Sequence, residues 1–300
     1  SLVLAKITDL NADEIDDAYR HISQGRMANY KLTSILAKKA LEKLNQHPAV
    51  LYAEPDYLLK ASVMPDDSRF DELWGMHNTG QTGGTDDADI DAPEAWEIST
   101  GSSDVVVGVI DTGVDHSHTD LTDNAWVNPG EIAGDGIDND GNGYIDDVYG
   151  INAITGVGDP MDDNGHGTHV SGIAAAATDN GIGISSISWN PKLIGINAST
   201  PGSSAGISFG YEGIAYATMV NADVVNCSWG RGGAPSLFEE EVVDFATENN
   251  TLVIAAAGND SIDIDTLPFY PASFARMVGF ENVISVGAVD DSNTLAGFSN

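Results

Sequence analysis

A histidine flanked by glycines, an acid at the end of one apolar run and an amide at the end of another are the groups in this chain best suited to moving protons. His166 lies in Asn164-Gly165-His166-Gly167-Thr168-His169-Val170-Ser171-Gly172, ahead of the small apolar run Ile173 to Ala177. Gly165 and Gly167 take side chains away from both sides of the imidazole, so backbone and substrate can approach it closely. Imidazole both accepts and donates a proton near neutral pH. Asp111 closes Val105-Val106-Val107-Gly108-Val109-Ile110 and precedes Thr112-Gly113. A carboxylate buried there needs a hydrogen-bond partner, and an imidazole N–H suits it. Asp111 would then hold His166 in the tautomer whose other nitrogen accepts a proton. Asn259 follows Leu252 to Ala257 and Gly258, where its amide could donate to a developing oxyanion. Each residue alone would read as an ordinary cap or turn. In the order Asp, His, Asn, each at the end of an element, they read as one site.

A second chemistry lies between Gly134 and Gly150. Asp138, Asp140 and Asn142 alternate, Gly143 takes the sixth place and Tyr144 the seventh, and Asp146-Asp147 follow. Alternating oxygen ligands around a sharp glycine turn suit Ca²⁺. The twelfth place holds Tyr149 where an EF-hand has a bidentate Glu, so Asp146 or Asp147 must close the shell. The alternative is a flexible acidic loop.

These residues need elements to position them. Val105 to Ile110 and Leu252 to Ala257 are continuous apolar runs, as in strands buried on both faces of a parallel sheet. Leu193 to Ile196, Asp223 to Cys227 and Val283 to Ala288 read as further strands. Ala92 to Ile98 and Tyr211 to Asn221 read as helices. The repeated β-α-β pattern predicts an α/β fold: a parallel sheet flanked by helices, joined by right-handed crossovers. Ligands collect at the carboxyl edge of such sheets. Residues 1–61 read as a small β-α-β-β-α-β unit, α+β and ferredoxin-like. Its expected elements are a strand Val3 to Ile7, a helix Asn11 to His21 capped by Asn11, a strand Tyr30 to Ile35, a helix Ala37 to Gln46, and a strand Val50 to Leu59 broken by Pro55. Residues 62–300 form the second domain.

The motifs Val109-Ile110-Asp111-Thr112-Gly113-Val114-Asp115, His166-Gly167-Thr168-His169-Val170-Ser171-Gly172, Val225-Asn226-Cys227-Ser228-Trp229-Gly230 and Ala255-Ala256-Ala257-Gly258-Asn259 resemble those of the subtilisin-like serine proteases, from about residue 64 onward. The resemblance implies that Asp111 orients, His166 is general base and acid, and Asn259 is the oxyanion donor. It implies that Ser228, Trp229 and Gly230 form one wall of the primary specificity cleft and pair with a peptide or protein substrate, with Ala256, Ala257 and Gly258 opposite. Phe269 stands where many relatives carry a small or polar residue near the pocket floor, which predicts a shallower pocket for small or medium side chains. A second Ca²⁺ site is implied at Asp120, the side chain of Asn180 and the carbonyls of Thr178, Ile182 and Ile184. His116, His118 and His169 are expected to be structural.

By the same resemblance Pro48 to Tyr57 looks like the end of a propeptide. Residues 1–61 would then be a chaperone and inhibitor with its tail in the cleft, released by processing between Lys60 and Met64. Ser68 to Gly83 looks like the start of a mature catalytic domain. The family's nucleophile sits in Gly-Thr-Ser-Met-Ala, which none of Ser285, Ser292 and Ser299 matches, so the catalytic serine is expected beyond Asn300 and the catalytic domain to be C-terminally incomplete. The 300 residues alone are expected to be inactive. The resemblance implies a secreted, monomeric zymogen.

Composition narrows the partners. The first sixty residues balance acids against bases, and only Arg69, Lys192, Arg231 and Arg276 are basic thereafter, so the net charge of −34 belongs to the second domain. Such a field repels nucleic acid and anionic membranes and suits calcium or a salty medium. No apolar run approaches the roughly 18 residues that span a bilayer; the sequence starts at Ser1, not Met, without a basic-then-apolar leader, and is expected to be a fragment clipped at both ends. The single Cys227 excludes an intrachain disulfide. Two alternatives remain at this level: a non-catalytic binding protein of the same fold, and a calcium-dependent structural domain.

Overall fold

Valine, isoleucine and alanine dominate the runs that cross the middle of the protein, and in the computed structural model these runs form the central sheet. The structure describes residues 2–7, 27–31, 42–46, 50–56, 63–200 and 206–300. The chain divides into two compact units, Ser1–Ala61 and Ser62–Asn300.

In the first unit β1 (Leu2–Ile7) lies between β2 (Met27–Lys31) and β3 (Val50–Asp56), antiparallel to both. β2 starts three residues before the expected Tyr30, because its ladder puts Met27 opposite Lys6 and Lys31 opposite Leu2. Pro55 does not break β3; it lies within it, opposite Val3. Among the described residues β3 is an outer strand, where a missing backbone N–H is tolerated. Of the expected 37–46 helix, residues 42–45 are helical. The expected 11–21 helix, and residues 32–35 and 57–59 of the expected strands, lie outside the described residues.

The second unit is built on a parallel sheet of order β11-β9-β7-β4-β6-β5. The strands are β4 (Val106–Asp111), β5 (Gly150–Asn152), β6 (Lys192–Asn197), β7 (Val224–Cys227), β9 (Leu252–Ala256) and β11 (Val283–Val286). A short ribbon pairs β8 (Arg231–Gly232) with β10 (Phe269–Tyr270). The helices are α1 (Ala92–Trp96), α2 (His166–Ala175), α3 (Gly210–Met219) and α4 (Leu237–Glu248). A capping box of Ser236 and Glu239 starts α4, satisfying amides that the first turn leaves unpaired.

Successive residues of a strand face opposite sides, and β4 uses both. Val109 packs with Val114, Leu121, Ala175 and Leu193 in the small core beside α2. Ile110 belongs to the larger core of Ile194, Ile196, Ile214, Tyr216, Val225, Val243 and Val253. The middle of the sheet is therefore apolar on both faces, and polar chemistry is pushed to the strand ends.

Candidate active site

Asp111 is the last residue of β4 and is 1% exposed. Its Oδ1 accepts from the Thr112 N–H at 2.7 Å and lies 2.7 Å from Nδ1 of His166. With the carboxylate oxygen as acceptor, Nδ1 carries the hydrogen and Nε2 keeps a lone pair able to accept one. The imidazole is 45% exposed while its partner carboxylate is buried. The arrangement thus joins a buried carboxylate to a half-exposed imidazole.

His166 is the first residue of α2, so it stands at the end of an element as expected. The helix can start this early because Gly167 lets its first turn press against the strand end. A Cβ at 167 would overlap the Gly113 carbonyl oxygen and meet the Asp111 Cβ at 3.0 Å.

β4, β7 and β9 run parallel, so the segments that follow them leave the same edge of the sheet. Ser228-Trp229-Gly230 follows β7, and the Asn226 Nδ2 donates to the Ser228 hydroxyl at 2.9 Å. The Trp229 indole N–H donates to the Ile110 carbonyl at 2.8 Å, which ties this segment to the strand carrying Asp111. Ala256 ends β9, and Ala257 pairs with Val286. Gly258 has φ +109°, a left-handed backbone that favours glycine. Asn259 comes next, exposed to solvent and without a hydrogen bond to the described residues. Phe269 lies between the two segments. A Cβ on Gly230 would run into its ring, and one on Gly258 would meet the ring at 3.3 Å.

The acidic loop gathers Glu131, Asp140 and Asp147, whose carboxylate oxygens lie within 4.8 Å of one another. Asp147 is wholly buried; it accepts from Asn128 at 3.0 Å, Asn142 at 2.8 Å and the Tyr216 hydroxyl at 2.7 Å. Burial pushes its carboxyl above the ordinary range, against the pull of those hydrogen bonds. Asp138 turns instead to the N–H groups of Gly141, Asn142 and Gly143, and Asp146 to those of Gly134 and Gly136. The Tyr144 N–H donates to Asn142, and its ring packs edge-on against Tyr216. Sequence spacing missed Glu131, which lies before the alternating run and joins it only through the fold.

In the second expected group, Asp120 lies against the 178–184 loop that carries Asn180. Asp120 accepts from the Ile184 N–H at 2.9 Å and from the Asn180 amide at 3.2 Å, while the Ile182 N–H donates to Asn180. The Thr178 hydroxyl accepts from the Ser186 N–H. Asp67, which nothing in the sequence singled out, closes this loop from outside. It accepts from the N–H groups of Asp179 and Asn180 and from the Ser185 hydroxyl. Of the other histidines, His116 stacks on Tyr149 and His118 accepts from the Asp120 N–H through Nδ1.

The sequence profile described as the Subtilase family matches residues 102–300. The chain belongs to the subtilase family. This subtilase is 37% identical over 261 residues to a thermophilic serine proteinase of Bacillus sp. AK1, covering 87% of this chain and 54% of that one. It is 31% identical over 280 residues to an extracellular protease of Xanthomonas campestris, covering 88% of this chain and 45% of that one. It therefore spans about half the length of these relatives. Among solved structures, a protease from Pseudoalteromonas arctica matches with a TM-score of 0.58 at 29% identity, covering 79% of this subtilase and 69% of that chain.

Proposed function

We propose that this chain is the core of a secreted, calcium-binding serine endopeptidase made as a zymogen and working as a monomer. In that reading Asp111 orients His166, and Nε2 takes the proton of a serine hydroxyl supplied by a segment outside these 300 residues. The serine attacks the peptide carbonyl, and Asn259 with a backbone N–H stabilises the oxyanion. His166 then returns its proton to the leaving amine. The observation that carries the reading is the 2.7 Å contact of His166 Nδ1 with the buried Asp111 carboxylate. The substrate is a peptide or protein strand laid between Ser228-Trp229-Gly230 and Ala256-Ala257-Gly258. Phe269 bridges those walls, which favours a small side chain at the residue preceding the scissile bond.

Glu131, Asp140, Asn142 and Asp147 offer the hard oxygen donors that Ca²⁺ prefers. The fit rests on the three carboxylates converging with no Lys or Arg paired to them among the described residues. Asp120 and Asn180, with carbonyls of the 178–184 loop, are proposed to hold a second ion. Residues 1–61 are proposed to be an inhibitory propeptide whose tail enters the cleft. Secretion is supported by the relative named an extracellular protease.

The test is the protease form that carries both this chain and its serine. Asp111→Asn is expected to lower kcat by about 10⁴-fold, the scale for losing the orienting carboxylate of such a triad. His166→Ala is expected to abolish labelling by a fluorophosphonate. Unchanged turnover in both variants would overturn these roles, and a parent with no turnover at all would leave a binding protein of the same fold.

A further inference from the structure

We propose that Asp162 is a positioning residue that locks His166 against Asp111 by fastening the start of α2 to the end of β4. The inference rests on the proposed catalytic role of His166 and adds a residue that touches neither partner of that pair.

The first turn of a helix leaves backbone N–H groups without intrahelical acceptors. Here the cap position is Gly165, which has no side chain to accept them. The glycine cannot readily be replaced by a capping residue, because its φ of +100° is a left-handed conformation. The acceptors come from elsewhere. Asp162 Oδ2 accepts from the Thr168 N–H at 2.9 Å and from the Thr168 hydroxyl at 2.6 Å. Its Oδ1 accepts from the N–H groups of Asn164 at 2.9 Å and Gly165 at 3.0 Å, and from the Thr112 hydroxyl at 2.9 Å.

Two of these contacts reach across to the strand. With its proton directed to Asp162, the Thr112 hydroxyl accepts from the Gly167 N–H at 2.9 Å. The Thr168 hydroxyl likewise accepts from the Asp115 N–H at 3.0 Å. One carboxylate thereby fixes the residues on either side of His166 to the residue next to Asp111. A negative charge at a helix N-terminus is also favoured by the helix dipole. Burial alone would push the Asp162 carboxyl up, but the hydrogen bonds from Gly165, Thr168 and Asn164 outweigh it and hold it below the ordinary range.

Asparagine has one acceptor oxygen in place of two, so Asp162→Asn leaves at least one of these donors facing an amide NH₂. The imidazole is then no longer held in a single place. A displacement of about 1 Å at a catalytic group costs on the order of 100-fold. In the protease carrying this chain, Asp162→Asn is expected to lower kcat by about 10- to 100-fold with KM within about threefold of the parent. Thr112→Val should reproduce the loss, Thr112→Ser should restore most of the activity, and the exposed neighbour Asp163→Asn should do neither. In the 300-residue chain, the low-field proton resonance of His166 Nδ1–H, assigned by its absence in His166→Ala, should broaden or vanish in Asp162→Asn. An intact Nδ1–H resonance with parental kcat in Asp162→Asn overturns the proposal. So does a Thr112→Ser variant as impaired as Thr112→Val. If His166→Ala itself retains activity, the proposed function fails instead.

Discussion

Phe269 offers the sharpest test of how this cleft chooses its substrate. Its ring stands where a side chain on Gly230 would have to go and lies 3.3 Å from the place of one on Gly258, so it sits between the two proposed cleft walls. Phe269→Ala replaces that ring with a methyl group and leaves both walls in place. The β8–β10 pairing of Phe269 with Gly232 is a backbone ladder and does not depend on the ring. Burying a phenylalanine side chain of a substrate contributes about 1.5–3 kcal/mol relative to leaving it in water. At about 1.36 kcal/mol per tenfold, the ratio of kcat/KM for Phe over Ala before the scissile bond should rise by roughly 10- to 150-fold. The assay is paired fluorogenic peptides differing only at that residue, cleaved by the protease form carrying the serine. A parent enzyme that already prefers Phe or Tyr, or a variant whose ratio stays within threefold of the parent, would refute the reasoning.

Three further outcomes follow from other parts of the structure. Tyr216→Phe removes the phenol that donates to the buried Asp147 at 2.7 Å; it should cost about 1–3 kcal/mol in urea unfolding, and a midpoint equal to the parent's would contradict that role. Gly167→Ala drives a Cβ into the Gly113 carbonyl, so it should destabilise by about 1–3 kcal/mol and lower turnover far more than a surface Gly→Ala control. The Asp162 carboxyl, held below the ordinary range by its hydrogen bonds despite burial, contributes stability above the unfolded value of about 3.9. That contribution is lost as pH falls through the lower folded value; Asp162→Asn should therefore flatten the acid side of the stability curve, and an unchanged slope would count against it.

The strands and the Asp111–His166 pairing could be read from the chain because both leave local marks. Continuous apolar runs favour burial on both faces of a sheet, and a polar residue that ends such a run is held at the sheet's edge. What could not be read were long-range closures. Glu131 joins Asp140 and Asp147, and Asp67 closes the 178–184 loop, through folding that no local pattern encodes. In the 138–147 loop the fold distinguishes acids that the spacing does not. Spacing gives every acid equal standing, but Asp138 and Asp146 accept from several backbone amides, while Asp140 and Asp147 bring carboxylate oxygens close to that of Glu131. Pro55 is a similar case, since whether a proline breaks a strand depends on whether that strand lies at an edge. His166 could be placed at the end of an element, but the reason the helix begins there is the nearness of Gly113 to Gly167, which no local pattern encodes.

β4 has a hydrogen-bonded strand on each side and apolar packing on both faces. The carboxylate at its tip is therefore anchored in the last part of the molecule to loosen. Partial opening at the rim would leave that anchor in place, so heat should abolish the Asp111–His166 contact only as the whole unit melts. Loss of function on warming would then coincide with loss of structure instead of preceding it.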